Sequence, residues 1–174
     1  PATRVLALES GEADVMGEIP PQEAVRLDES EDYSLMPVPI PGQPLQFFMN
    51  TRRSPTDDVR LRRALIYAVN RPAIVETVFK SYSPAAYGPL NRSTFAYDPS
   101  IEGTYAYDPN KAVDLLEDAG WTDSDGDGVR DQDGEPLELE TILMGWGYIP
   151  EVGQMIQEQY RQVGIAVDSR QTTF

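Results

Sequence analysis

The residues 123–134 read Asp-Ser-Asp-Gly-Asp-Gly-Val-Arg-Asp-Gln-Asp-Gly, which is the spacing of a calcium-binding loop. Asp123, Asp125 and Asp127 alternate, so their carboxylates can turn towards one point. Gly128 follows where such loops reverse sharply, Val129 offers a backbone carbonyl next, and Asp131 stands two residues further on. Hard carboxylate and carbonyl oxygens in this order suit a calcium ion. The departure is at the end of the loop, where Gly134 stands in place of a bidentate Glu. Asp133, Glu135 or a group from elsewhere would have to take over that ligand. The flanks differ too: a helix pattern precedes the loop and a strand pattern follows it. A site here would be structural, with affinity in the weak extracellular range, because nothing nearby offers an open catalytic position. Without a metal, the same residues make an acidic, glycine-rich connection between Trp121 and Leu137.

Other chemistry is bounded by what the chain lacks. Its 174 residues contain no His and no Cys. Ser-His-Asp and Cys-His nucleophiles, thiolate metal sites, disulfides and ordinary zinc sites are excluded within it. Carboxylate, Lys and Tyr chemistry remain. Twenty-nine acidic against fourteen basic residues give a formal charge of −15. A nucleic-acid partner needs a basic footprint, so none is expected. No apolar run is long enough to span a bilayer, so no direct membrane insertion is expected. No leader is visible either, but the sequence begins mid-pattern, so that carries no weight.

The elements are organised around residues 50–79. Ser54, Pro55 and Asp57 form a helix-start signal. Leu61, Ala64, Leu65, Ala68 and Val69 then recur at helical spacing, while Arg60, Arg62 and Arg63 avoid that face. Asn70 ends this helix and caps the next, whose buried side is Ile74, Val75, Val78 and Phe79. Upstream, residues 45–49 form a short apolar run that reads as a buried strand. Residues 3–10 predict an amphipathic helix, 13–16 a brief strand and 20–25 the start of another helix. Pro37, Pro39, Pro41 and Pro44 keep the chain extended there, as an edge strand or as a linker. Asp108 and Pro109 open a helix with Ala112, Leu115, Leu116 and Ala119 on one stripe, closed by Gly120 and Trp121. Residues 137–144 predict a strand with Leu137, Leu139 and Thr141 on one face and 142–144 buried on both. Pro150 starts a helix carrying Val152, Met155, Ile156, Tyr160 and Val163, closed by Gly164, and residues 165–167 begin a strand. Strand, helix and strand joined this tightly imply a right-handed crossover, a parallel pair and an α/β fold.

Three phrases in these elements resemble the family 5 extracytoplasmic solute-binding proteins, the receptors of peptide and nickel ABC importers. The first is the helix pair with Asn50, Asp58, Leu61, Arg62, Ala64, Leu65, Ala68, Val69, Asn70, Arg71 and Ile74, in which Asn70 replaces the usual Asp. The second is Tyr107-Asp108-Pro109, Lys111-Ala112, Leu115-Leu116 and Ala119-Gly120-Trp121. The third is Gly164-Ile165-Ala166-Val167 after a Gln-rich helix. Leu8-Glu9-Ser10-Gly11-Glu12 is similar to the family's turn before a strand. The resemblance covers nearly the whole chain. It implies a periplasmic-binding-protein-like α/β lobe, a mixed sheet flanked by helices. Residues 1–44 would then be part of a first lobe and the crossover, and residues 45–174 the second lobe. A DxDGDG loop near Asp123 is also common in the family.

The resemblance further implies a function without catalysis: two lobes close on a ligand by hinge motion, and a membrane permease reads the closed form. The expected partners are a peptide or small-molecule ligand and an ABC permease, and the expected location is extracytoplasmic. No cofactor is expected beyond the structural calcium at Asp123, Asp125, Asp127, Val129 and Asp131. Ligands in open α/β arrangements sit beyond the C-terminal ends of parallel strands. The loop 145–148 follows the strand 137–144 at that end, and the resemblance implies that a loop such as 82–91 approaches the cleft; Tyr87, Asn91, Trp146 and Tyr148 on these loops are the expected ligand-facing residues. The rings would stack and the Asn91 amide would bond peptide-like groups, although loop aromatics also commonly serve as packing. Two other classes stay open on residues alone: a carboxylate-based glycosidase, and a calcium-dependent interaction module. In the first the acids would do chemistry, but most of them sit in caps and loops. The second leaves the helix pair unexplained.

Overall fold

Two stripes of small and branched apolar residues meet at the centre of the molecule. In the computed structural model, which describes residues 2–173, α3 (Val59–Tyr67) lies against α5 (Pro109–Asp118). Leu61, Ala64, Ala112 and Leu116 are wholly buried there. Alanines on both helices bring the backbones close, and the leucines fill the space between them. Trp121, Leu137, Val163 and Ile165 close this core from the strand side.

The other elements, in chain order, are α1 (Ala2–Glu9), α2 (Pro21–Asp28), α4 (Arg71–Phe79), a single 3-10 turn (Pro99–Ile101), β1 (Asp131–Gln132), β2 (Glu135–Pro136), β3 (Glu138–Met144), α6 (Ile149–Arg161) and β4 (Ala166–Thr172). β3 and β4 pair in parallel, from Glu138 opposite Ala166 to Met144 opposite Thr172, with α6 as the crossover. β1 and β2 make a separate antiparallel ladder. The chain is thus α/β, with parallel and antiparallel pairing in two small sheets.

The caps follow the sequence, with one exception. Asn70 Oδ1 accepts the Ala73 amide at 3.1 Å, and Asp108 Oδ1 accepts the Lys111 amide at 3.0 Å. α3, however, starts at Val59 and not behind Ser54. Asp58 is its cap, accepting the Arg60 amide at 2.7 Å, and the Arg60 guanidinium returns to the same carboxylate at 2.6 Å. Residues 50–57 are tied into turns first: Thr56 Oγ1 donates to the Asn50 carbonyl at 2.7 Å and Arg62 donates to the Thr56 and Asp57 carbonyls. Those bonds use backbone groups a helix would need, so the helix waits for the next acid.

The expected strands at 13–16 and 45–49 do not form ladders among the described residues. Val15 and Phe48 stand 86% and 85% exposed. An apolar run becomes a strand only where a neighbour supplies backbone partners, and among the described residues neither run has a strand beside it. The proline-rich stretch 37–44 likewise forms no ladder among the described residues and bends at residues 41–42. Within β3, Leu143 is buried but Ile142 is 71% exposed, so residues 142–144 are not buried on both sides as expected. α6 covers one face of the pair, and the pleat turns Ile142 and Met144 to the other.

Gly120 and Gly164 end α5 and α6 with φ of +92° and +83°. Both lie against side chains: a Cβ would come within 2.7 Å of Gln132 Nε2 and 2.8 Å of Arg130 Cγ respectively. Arg130 stitches the two helix ends together, donating to the Val163 carbonyl and the Trp121 carbonyl at 2.9 Å each.

Two outcomes follow from this packing. Leu116→Ala and Leu65→Ala should each cost about 2–5 kcal/mol in denaturant titration, because both side chains are buried against packed neighbours. The Asp58 carboxyl is held below its ordinary value, chiefly by its bond to Arg60. Its contribution is therefore present above the unfolded value of about 4 and is lost as pH falls through the lower folded value. Asp58→Asn keeps a capping oxygen, so it should flatten the stability loss below pH 4 while changing stability near pH 7 only modestly.

Candidate functional site

A cavity of about 760 Å³ opens between residues 38–47 and the helices α3, α4 and α6. Its walls are Leu65, Ile66 and Val69 of α3, Ile74, Val75 and Phe79 of α4, and Val152, Ile156 and Tyr160 of α6. The loop 82–92 forms the remaining side and brings Tyr82 and Tyr87 to it. An apolar enclosure of this size with a few polar groups has the form of a small-molecule site.

Its polar groups are placed by short-range bonds. Arg71 is the first residue of α4, and its guanidinium sits 4.8 Å from the centre of the Tyr87 ring. The same group donates to the Ala86 carbonyl at 3.4 Å and to the Tyr105 carbonyl. Burial lowers the Arg71 pKa from its ordinary value, because the charged form is partly stripped of water. Burial likewise raises the Tyr160 hydroxyl pKa well above its usual value. Tyr105 meets Tyr67 edge-on at 5.5 Å, which fixes the far side of the Arg71 pocket.

Asn91 also lines the cavity, but its amide is already committed. Nδ2 donates to the Ile40 carbonyl, and Oδ1 accepts from the Ser93 amide at 3.1 Å and the Ser93 hydroxyl at 2.6 Å. The Asn91 amide N–H donates to Gly42 at 3.2 Å. Asn91 therefore fastens the loop 91–94 to the proline-rich chain, and holds two walls of the cavity together.

Tyr148 and Trp146 are placed elsewhere. Tyr148 caps the start of α6 and meets Phe79 edge-on at 5.7 Å. It faces a second cavity of about 620 Å³, among Asn70, Gln154 and Gln159. Its hydroxyl pKa is raised by burial and then by the nearby Glu151. Trp146 lies just past the C-terminal end of β3, is 68% exposed, and lines neither cavity. So the structure brings Tyr87 and Asn91 together, sets Tyr148 across Phe79 from them, and leaves Trp146 apart. Sequence reasoning used Arg71 only as part of a motif and did not place it at a cavity. A cation preceding an apolar helix face was the available signal.

The acidic loop forms a tight hub. Oxygens of Asp123, Asp125 and Asp127 all lie within 4.8 Å of one another, on exposed side chains. Backbone amides shape it: Gly126 and Gly128 donate to Asp123 at 2.8 and 3.1 Å, Asp127 to Asp125 at 3.2 Å, and Val129 to Asp127 at 2.7 Å. Asp131 stands apart from this group. Its Oδ2 accepts from the Ser124 amide at 2.9 Å and hydroxyl at 2.7 Å, which holds its carboxyl below the usual range. The donor chemistry of the three converging carboxylates suits a hard cation.

Compared with known proteins, residues 1–174 match throughout the family described as bacterial extracellular solute-binding proteins, family 5, middle region. The chain belongs to that family. It is 31% identical over 172 residues to the nickel-binding periplasmic protein of Escherichia coli strain K12, covering 96% of this chain and 32% of that one. It is 38% identical over 166 residues to the glutathione-binding protein GsiB of Shigella flexneri serotype 5b, covering 94% and 29%. The solved structure of NikA from Brucella suis in complex with Fe(III)-EDTA aligns with a TM-score of 0.82 at 28% identity, over 99% of this chain and 35% of that one. The chain thus spans about a third of the length of these relatives. Family 5 membership agrees with the helix pair, the Ala119-Gly120-Trp121 helix end and the parallel β3–β4 pair. Among the described residues no helix is long and apolar enough to cross a membrane.

Asn91→Ala should cost about 1 kcal/mol in denaturant titration, the net value of a hydrogen-bond set of this exposure. It should also speed proteolytic cleavage within 37–44, since that stretch would lose its tie to the loop.

Proposed function

We propose that this protein captures peptides or related small solutes outside the cytoplasmic membrane and delivers them to an ABC permease, without reacting with them. The observation that carries the reading is the family match along the whole of residues 1–174. The 760 Å³ apolar cavity, of a size that suits a small ligand, supports it. Residues 45–174 are the second lobe in this reading, and residues 37–44 are the stiff crossover about which the lobes close. Tyr87 contributes a stacking face within the cavity, and Asn91 keeps the cavity's edge in place. Trp146 and Tyr148 lie outside this cavity, past the C-terminal end of β3, and in this reading they belong to the inter-lobe surface that the ligand also touches. Nickel and glutathione appear in the names of the relatives; the walls described here favour an organic solute with apolar surface.

The test is calorimetry on the complete protein with the solute identified by mass spectrometry in the purified material. Tyr87→Ala and Trp146→Ala should each weaken binding at least tenfold, about 1.4 kcal/mol. The fold should stay intact by circular dichroism, and no product should form on long incubation. Unchanged affinity in both variants would remove these rings from the site.

Calcium is the second part of the proposal. Asp123, Asp125 and Asp127 would hold the ion, with the Val129 carbonyl and Asp131 completing the set once Asp131 exchanges its bond to Ser124. The ion would neutralise three clustered carboxylates and fix the turn between α5 and β1, a structural role. Calcium at one hundred times its dissociation constant should add about 2.7 kcal/mol to stability. A melting temperature that does not move between millimolar calcium and chelator, or that moves equally in Asp125→Asn, would show that the loop holds no such ion.

A further inference from the structure

Arg71 differs from the other arginines near this cavity in having no acid beside it. Arg92 also lines the cavity, but Glu102 engages it at 2.5 Å. Across the described residues Arg4, Arg26, Arg60, Arg130, Arg161 and Arg170 likewise each have a carboxylate within 4.0 Å; Arg52, Arg53, Arg62 and Arg63 do not, but none of these lines the cavity. Arg71 meets only the Ala86 and Tyr105 carbonyls and the Tyr87 ring. In a chain with twenty-nine acids, a half-buried guanidinium with no carboxylate partner is conspicuous. A charge taken partly out of water is costly unless a counter-charge or a full set of acceptors meets it. Two carbonyls leave donors of the fork unused.

Arg71 borders the 760 Å³ cavity, whose other walls are mostly apolar or tyrosine, with Gln43, Gln46, Ser83, Asn91 and the Glu102-paired Arg92 as the remaining polar groups. We propose that Arg71 is the anchor for a ligand carboxylate, and that the ligand is an anionic solute with an apolar body, such as a peptide with a free C-terminus. This rests on the solute-binding reading above and adds the chemical class of its ligand. A planar fork matches a carboxylate with two parallel bonds, and the low polarity of the surrounding walls strengthens them. Tyr87 holds the guanidinium plane from one side, and the Ala86 and Tyr105 carbonyls fix its orientation, so little freedom is lost when the anion arrives. The apolar walls of α3, α4 and α6 then receive the side chains next to the carboxylate. Acids elsewhere on the surface, with a formal charge of −15, disfavour loose anion binding, so the built pocket gives selectivity.

The experiment uses the complete protein and two probes, the tripeptide Ala-Leu-Phe with a free C-terminal carboxylate and the same peptide as its C-terminal amide. Calorimetry should give at least tenfold tighter binding for the acid. Arg71→Gln should bring the two affinities within twofold of each other, while Arg161→Gln, at an exposed arginine that lines neither cavity, keeps the preference. Arg71→Lys retains the charge without the fork, so it should keep a reduced preference, and it provides the test should the Gln variant not fold. Equal binding of acid and amide by the unaltered protein would overturn the Arg71 assignment and leave the solute-binding reading standing. An acid preference that persists in Arg71→Gln would place the anchor elsewhere and overturn it too. Binding of neither peptide would overturn the ligand class proposed here together with the peptide part of the functional reading.

Discussion

The contact between α3 and α5 is the constraint on which the rest depends. Leu61 and Leu116 are wholly buried between the helices, and Ala64 and Ala112 set how closely the backbones approach. That seam fixes the direction in which α3 ends. The Asn70 cap then turns the chain sharply into α4, and the Asn70 amide is held by Gln159 of α6 at 2.9 Å. Through this corner the core determines where Arg71 and the apolar side of α4 face. A volume change at Ala64 or Leu116 would therefore reach the cavity without touching it, because close-packed interiors transmit displacement.

The second fixed point is the junction around Arg130. Its side chain is only 12% exposed and donates to carbonyls from the ends of both α5 and α6. Helix ends carry unsatisfied carbonyls and a partial negative charge, so one cation can serve both. The backbone of Arg130 continues the same junction, bonding Gly164 at 2.8 Å and receiving the Leu137 amide. The acidic loop leaves from this junction. Its carboxylates are clustered by their own backbone amides, independently of the core, so the loop and the cavity are separate pieces of machinery on one scaffold.

The cavity itself is made of parts from distant stretches of chain. The proline-rich segment supplies one wall with no ladder of its own, and Asn91 ties that segment to the loop that follows α4. Such a wall can move with modest cost, since few backbone bonds hold it. The cavity thus has one rigid side of packed helices and one side of tethered chain.

Local chemistry alone determined much of this protein. The apolar stripes of α3, α5 and α6, the caps at Asn70 and Asp108, the glycine ends at Gly120 and Gly164, and the parallel crossover could all be read from spacing and residue type. The stripes, caps and helix ends depend on neighbours within one or two turns, and the crossover on the short connections between consecutive elements. The clustering of Asp123, Asp125 and Asp127 was legible for the same reason. Tertiary structure alone decided what depends on partners far along the chain. Residues 13–16 and 45–49 look like strands but form no ladder among the described residues, and Ile142 is apolar yet turned to the exposed face of β3. Asp58 displaced Ser54 as a cap because Arg62 and Thr56 had already claimed the backbone before it. Tyr87 and Asn91 share a cavity whereas Trp146 does not, and Arg71 stands without an acid. Burial and charge pairing are properties of the assembled neighbourhood, and no spacing rule in the linear chain encodes them.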